Sequence, residues 1–385
     1  MSLARKVTLN ASALGAGRVA AAGLGIVSVA ISTRYLGVEA YGALAVALAF
    51  STLLNVVADG GIWTIAAREL AKRPEDTQRI FATILTMGLG LSGLAMAIAL
   101  AVAFLVFGGG DDALTRKGIL LLLLTVPLAA PAGAVNAYFI AVQRAWIGAI
   151  GVVTSSVVQL IALVVATSLD AGFTGVVGAY VAAAVAQALV IIPLARGRVS
   201  LRPAWELALG RQLLGWALPL SGATLVYSLY WRIDILLLSL LASERQVGLY
   251  GLSYRVVDAL VLLPQFVMVT LLPEFARLAD HREHLRQVAQ KAFTIMQIGA
   301  LALVTIFVGF AREIVTVVGG PGFGDAALVL EILVVGVGLT YVGNVLAQVL
   351  LAINRQGQLF ALALALLPAN VLLNVALLPL WGARG

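Results

Sequence analysis

Long apolar stretches follow one another along almost the whole chain, separated only by short breaks that carry charge, glycine or proline. They fall at roughly 10–33, 41–66, 80–107, 118–141, 146–168, 174–195, 213–241, 248–272, 291–311, 326–352 and 358–380. Each is long enough to cross a hydrocarbon layer, which takes about 20 residues of helix. Backbone inside lipid has to satisfy its own hydrogen bonds, and a helix does so within one segment. The expected fold is therefore an all-α membrane protein of about eleven transmembrane helices. With 62% hydrophobic and 11% charged residues, the chain lies far from a soluble domain, in which about a quarter of residues are charged. Cysteine is absent, which removes disulfides and thiolate metal sites. Arg5 and Lys6 precede the first stretch. That stretch is long and lacks a clear cleavage site, so it reads as a retained first helix and not a signal peptide.

The net charge of +7 answers to topology and not to nucleic acid, because the cations sit in the short breaks. Of 25 Lys and Arg residues, Arg18, Arg232 and Arg255 lie within spans. With the N-terminus inside, only Arg34, Arg116, Lys117, Arg245, Arg312 and Arg384 fall outside. The remaining sixteen are cytoplasmic, and that asymmetry sets the expected orientation. The longest breaks, near 196–212 and 273–290, are both on the inner side. In the second, Phe275, Leu278, Leu285 and Val288 recur at helical spacing. This fits either an amphipathic helix lying on the membrane surface or a solvated extension of the adjoining span.

An internal repeat organises the spans. The segment Val38-Glu39-Ala40-Tyr41-Gly42 has an echo at Arg245-Gln246-Val247-Gly248-Leu249-Tyr250, and each leads through a helix to a basic inner loop. Gly42 and Gly248 are six spans apart, an even number, so the two copies run parallel. Lobe one is expected over 1–197, with six helices, and lobe two over 198–385, with five helices present. A twelfth span would complete the second lobe, so the chain is expected to be truncated after span eleven.

The segment Arg34-Tyr35-Leu36-Gly37-Val38-Glu39-Ala40-Tyr41-Gly42, with Ala58-Asp59-Gly60-Gly61 at the end of the next helix, resembles the polysaccharide-biosynthesis flippases. So do Trp231-Arg232-Ile233-Asp234, Val247-Gly248-Leu249-Tyr250, Tyr254-Arg255 and Leu271-Leu272-Pro273. These are the Wzx-like oligosaccharide flippases of the multidrug/oligosaccharidyl-lipid/polysaccharide superfamily. The resemblance implies two pseudo-symmetric six-helix lobes around a central cavity and alternating access in a bacterial inner (plasma) membrane. Its implied cargo is a polyprenyl-pyrophosphate-linked oligosaccharide. The expected partners are that lipid-linked saccharide, the bilayer and other polysaccharide-assembly membrane proteins, with no nucleic acid.

Six ionisable residues lie inside spans: Arg18, Asp59, Arg232, Asp234, Arg255 and Asp258. Such residues are costly in lipid and usually face a protein interior or water. At about 1.5 Å per residue, Arg18 and Asp59 sit ~10–12 Å from the inner ends of spans one and two, where they can meet. Arg232, Asp234, Arg255 and Asp258 sit ~10–15 Å below the outer ends of spans seven and eight. Arg255 and Asp258 are three apart on one helix and within reach of each other. Three arginines against three aspartates suit buried pairs that fix helix register. They equally suit an arginine that grips a carrier phosphate, for which guanidinium has the right fork; an aspartate that couples transport to an ion is a third, lesser reading. Gly17, Ala21 and Gly25 form a small-residue ridge beside Arg18, suited to close helix packing; Arg18 either reaches a cavity from this bare helix or snorkels to the inner interface. Pro127, Pro131, Pro219, Pro264 and Pro368 mark expected bends.

His281 and His284 have spacing that suits a metal, but no further His or Cys completes a site. The glycine-rich turns at 108–112 and 319–324 lack the Gly-Lys-Ser/Thr of a phosphate loop. No cofactor and no enzymatic activity are expected. A drug/cation antiporter of the same superfamily is the competing reading, and it calls for an acidic cavity. A membrane-embedded glycosyltransferase would need a sizeable catalytic loop, which no break offers.

Overall fold

The computed structural model describes residues 3–109 and 112–384; Met1, Ser2, Gly385 and the Gly110-Asp111 part of the expected outer turn lie outside the described residues. Among the described residues every regular element is a helix. In chain order these are α1 (Leu3–Asp59), α2 (Ile62–Lys72), α3 (Thr77–Leu105), α4 (Ala113–Leu122), α5 (Val126–Ala141), α6 (Trp146–Ser168) and α7 (Gly172–Leu194). There follow α8 (Leu207–Leu241), α9 (Glu244–Arg277), α10 (Arg282–Gly309), α11 (Ala311–Gly319), α12 (Ala326–Ala352) and α13 (Gln356–Trp381).

Ten helical stretches among the described residues are long and apolar enough to cross a membrane. The first, Gly17–Lys72, has 56 residues. That is about 84 Å of helix against a hydrocarbon layer of ~30 Å, so it holds two crossings. Gly37, with φ 74° and ψ −179°, breaks it where the first crossing ends. Counted that way, the described residues hold eleven stretches of spanning length, in line with the expected number. A second break at Gly60 and Gly61, both left-handed at φ 51° and 64°, separates α1 from α2 inside the stretch read as one span over 41–66. Those two residues lie against α8. A Cβ on Gly61 would stand 3.2 Å from the Ala217 carbonyl oxygen, and Ser221 Oγ donates to the Gly60 carbonyl.

Contacts divide the chain into two units, one of 1–36 with 43–232 and the other of 37–42 with 233–385. In the first unit, α2, α3, α5 and the start of α8 share a core around Ile65, Ile84, Met87 and Leu213. Trp63 is wedged into this core: a Cβ on Gly88 or on Gly133 would stand 2.5 Å from its ring. The 195–206 linker is strapped to the start of α3. Gln78 pairs with the Ser200 backbone through both amide atoms, at 3.0 and 2.8 Å, Thr86 Oγ1 donates to the Ala204 carbonyl at 3.0 Å, and Arg79 forks onto Glu206. Tyr35 fixes the α6–α7 turn, donating to Asp170 Oδ1 at 2.7 Å and accepting from the Gly172 N–H at 2.8 Å.

In the second unit, residues 37–42 pack on the start of α9. A Cβ on Gly42 would stand 2.5 Å from the Glu244 carbonyl oxygen, and one on Gly248 would overlap the Val38 carbonyl. Val38 is to Gly42 as Glu244 is to Gly248, so these two segments touch reciprocally at equivalent positions. Tyr41 meets Phe323 edge-on, centroids 5.9 Å apart. Pro264 has no N–H, so the Leu260 carbonyl one turn earlier loses its helical donor. Tyr341 of α12 supplies one instead, at 3.1 Å.

Of the two readings of the 273–290 segment, extension of the adjoining spans holds: α9 runs on to Arg277 and α10 begins at Arg282, with a turn between them, and Phe275 and Leu285 are buried within it. The span at 118–141 is split by a 3-10 turn at Leu123–Thr125 just before Pro127. Of the small-residue ridge on α1, Gly17 packs on Ala149, where a Cβ would stand 3.2 Å away, but a Cβ on Gly25 would meet nothing within 4 Å among the described residues.

Candidate functional site

The six intramembrane charges fall into dissimilar settings. In the first unit, Arg18 is exposed on α1, and among the described residues it has neither a hydrogen-bond nor an ion-pair partner. Asp59 ends α1 at the Gly60-Gly61 break. Its carboxyl faces the Trp63 backbone N–H of α2, whereas its Oδ1 is buried with no partner among the described residues. The meeting of Arg18 with Asp59 that their matching depths suggested does not occur. Arg232 lies half-buried on α8.

In the second unit, Asp234 anchors a polar knot. Asn374 Nδ2 donates to its Oδ1 at 2.9 Å and Tyr250 Oη to its Oδ2 at 3.3 Å. Asn374 in turn donates to Asn370 Oδ1 at 3.1 Å, one turn away on α13. Three helices, α8, α9 and α13, are thereby tied through one carboxylate. The tie matters for α13, which is otherwise largely exposed. Tyr250 also stacks on Tyr254, centroids 5.6 Å apart. Further along α9, Arg255 and Asp258 stand 3.8 Å apart, each about one-third exposed, as their spacing predicted.

Balanced charge was therefore a partial guide. Arg255 and Asp258 pair, but Asp234 is held by two amide-bearing positions and a phenol. Asn370 and Asn374 went unremarked in the sequence although their signal was there: two amides four apart in an otherwise apolar span. Glu69 is a second residue whose setting the sequence hid. It reads as part of a basic inner loop but is only 3% exposed, with Arg68 at 3.0, Lys72 at 3.6 and Arg73 at 3.8 Å. Arg68 also caps the Trp216 ring of α8 at 5.0 Å. Among the described residues no three His, Cys, Asp or Glu side chains gather as metal ligands would.

This helical arrangement is that of the MOP-superfamily transporters. The chain matches an inward-facing multidrug resistance MATE family transporter of that superfamily with TM-score 0.77 and 16% identity, over 94% of this chain and 89% of that one. It matches the lipid II flippase MurJ, in an inward closed conformation, with TM-score 0.79 and 13% identity, over 96% and 82%. A MOP superfamily transporter from Pyrococcus furiosus, whose pocket is described as reversed in polarity, matches with TM-score 0.59 and 16% identity, over 100% and 88%. Among curated proteins none matches. The model of the polysaccharide biosynthesis protein family matches residues 7–279, and the chain belongs to that family. It is a multi-pass membrane protein with the fold of a transporter.

Proposed function

We propose that this protein is a flippase that carries a polyprenyl-pyrophosphate-linked oligosaccharide across a bacterial inner membrane by alternating access, with its N-terminus in the cytoplasm. The observation that carries this reading is Arg18. A guanidinium without a partner among the described residues, on a membrane-crossing helix, is electrostatically expensive unless an anion visits it. A pyrophosphate does so bidentately, and Arg stays charged throughout. Family membership supplies the saccharide context, and the flippase MurJ shares the fold. Two lobes, 1–197 and 198–385, act as the moving parts, with Arg232, Asp234, Arg255 and Asp258 as the second charged layer along the route. Other polysaccharide-assembly membrane proteins are the natural suppliers and receivers of the cargo.

The test uses proteoliposomes loaded with a fluorescent polyprenyl-pyrophosphate oligosaccharide and an external glycosidase. Protein-dependent loss of protection, weakened in Arg18→Ala, is the expected result. Arg232→Ala and Arg255→Ala measure the second layer. If insertion is normal and protection persists, the flippase reading fails.

Asp59 favours one alternative. A carboxylate oxygen buried without a donor suits a coupling cation, as a drug/cation antiporter requires. In that case Asp59→Asn abolishes cation-driven efflux, and the arginine variants leave efflux unchanged.

A further inference from the structure

Within the second unit, α10 and α12 flank an open recess of about 750 Å³ at the end where α10 begins and α12 stops. That size is within the range of small-molecule sites. Three arginines line it: Arg282 and Arg286, one turn apart on α10, and Arg355 from the turn between α12 and α13. No carboxylate is among the lining residues. Asp280 and Glu283 are close in sequence but do not line it. Among the described residues none of the three arginines has a hydrogen-bond or ion-pair partner. Two of them also occupy the first turns of a helix, the end at which a cation is disfavoured. Three unneutralised like charges converging on one recess raise its affinity for an anion.

The remaining wall narrows the anion's class. Phe293, Val345, Leu346 and Val349 give it an apolar wall, and the recess sits where α10 passes from its charged first turns to its apolar, membrane-crossing part. A free phosphate would leave that wall unused, and a cationic drug would meet the arginines. A ligand that matches both parts has a phosphate head and an apolar tail. Counting crossings puts this end on the same side of the membrane as the N-terminus, where short basic segments concentrate. Basic recesses of this kind between membrane helices are suited to lipid head groups.

We propose that this recess binds the phosphate of an anionic glycerophospholipid from the surrounding bilayer, with Arg282, Arg286 and Arg355 on the head group and an acyl chain along Phe293 and Val349. The site is independent of what the protein transports, so its test is a binding measurement. Full-length protein in detergent is titrated with phosphatidylglycerol or phosphatidylcholine, and bound lipid is counted by native mass spectrometry. The expectation is at least tenfold tighter retention of phosphatidylglycerol, largely lost in the R282Q/R286Q/R355Q variant. The R282K/R286K/R355K variant keeps most of it, because charge is preserved. Val349→Trp, which fills the apolar wall, weakens retention with every charge in place, and it carries the test if the Gln variant does not fold. Equal retention of the two lipids, or wild-type retention in both Val349→Trp and the folded R282Q/R286Q/R355Q variant, overturns the proposal. Full displacement by equimolar inorganic phosphate would also overturn it, making the site one for a soluble anion. Displacement by substoichiometric polyprenyl phosphate would overturn it in favour of a carrier-lipid seat.

Discussion

The charges on α1 and those on α8 and α9 lie in membrane-crossing helices of one chain, yet they are treated in opposite ways. Asp234 has three polar neighbours within reach and Arg255 has Asp258. Arg18 has no partner among the described residues, and Asp59 keeps one buried oxygen bare. A satisfied polar group in lipid ties helices together and resists change, whereas an unsatisfied one is tolerated only if something else completes it. On this comparison Asp234, Arg255 and Asp258 hold their places through partners already present, whereas Arg18 and Asp59 are the ones left for a substrate or ion to complete.

Substitutions sharpen or break that contrast. The largest effect is expected from Arg18→Ala, which should lower flipping about ten- to a hundredfold, the worth of a charge-assisted bond of ~1.5–3 kcal/mol. Thermal stability in detergent should move by no more than ~0.5 kcal/mol. A stability loss with normal flipping would make Arg18 structural and erase the contrast. Asn374→Leu should do the reverse. Removing a donor from Asp234 costs about 1–2 kcal/mol, read as a lower unfolding midpoint and as easier proteolysis near α13. A double-mutant cycle over Arg255 and Asp258 should return only ~0.3–0.5 kcal/mol, since the pair is part-exposed and local to one helix.

The smallest effect concerns pH. The Arg79 guanidinium holds the Glu206 carboxyl below the usual glutamate range by direct hydrogen bonding. A depressed carboxylate contributes stability above its unfolded value, near 4.3, and loses it as pH falls through the lower folded value. Acidification below about pH 4 should therefore release the 195–206 strap first, seen as faster cleavage there. Glu206→Gln should remove that pH dependence.

Much of the fold was legible because apolar length is a strong signal. The stretches at 146–168 and 326–352 coincide with α6 and α12. Interruptions shorter than a loop were harder to read. Gly37 breaks a helix without ending it in any obvious way, and α11 is a nine-residue helix with too little length to register as a span. Charged site residues stood out against an apolar background, but their partners did not. Asn370 and Asn374 carry no charge, and the distance from Asp234 to Asn374 along the chain is 140 residues. The ridge on α1 failed for a related reason. Small residues permit close packing, but only a neighbouring helix decides whether it happens, and among the described residues one arrives at Gly17 and not at Gly25.

The seating of residues 37–42 against the start of α9 bears on how the chain is made. Those residues emerge early in synthesis, yet the surface they rest on, at Glu244 to Gly248, follows about 206 residues later. At about 5–20 residues per second, that is a wait of ~10–40 s on the ribosome. During that interval the Gly37 bend is exposed to whatever insertion machinery holds the nascent helices. The first two crossings therefore reach their final contacts only after the eighth has begun to appear.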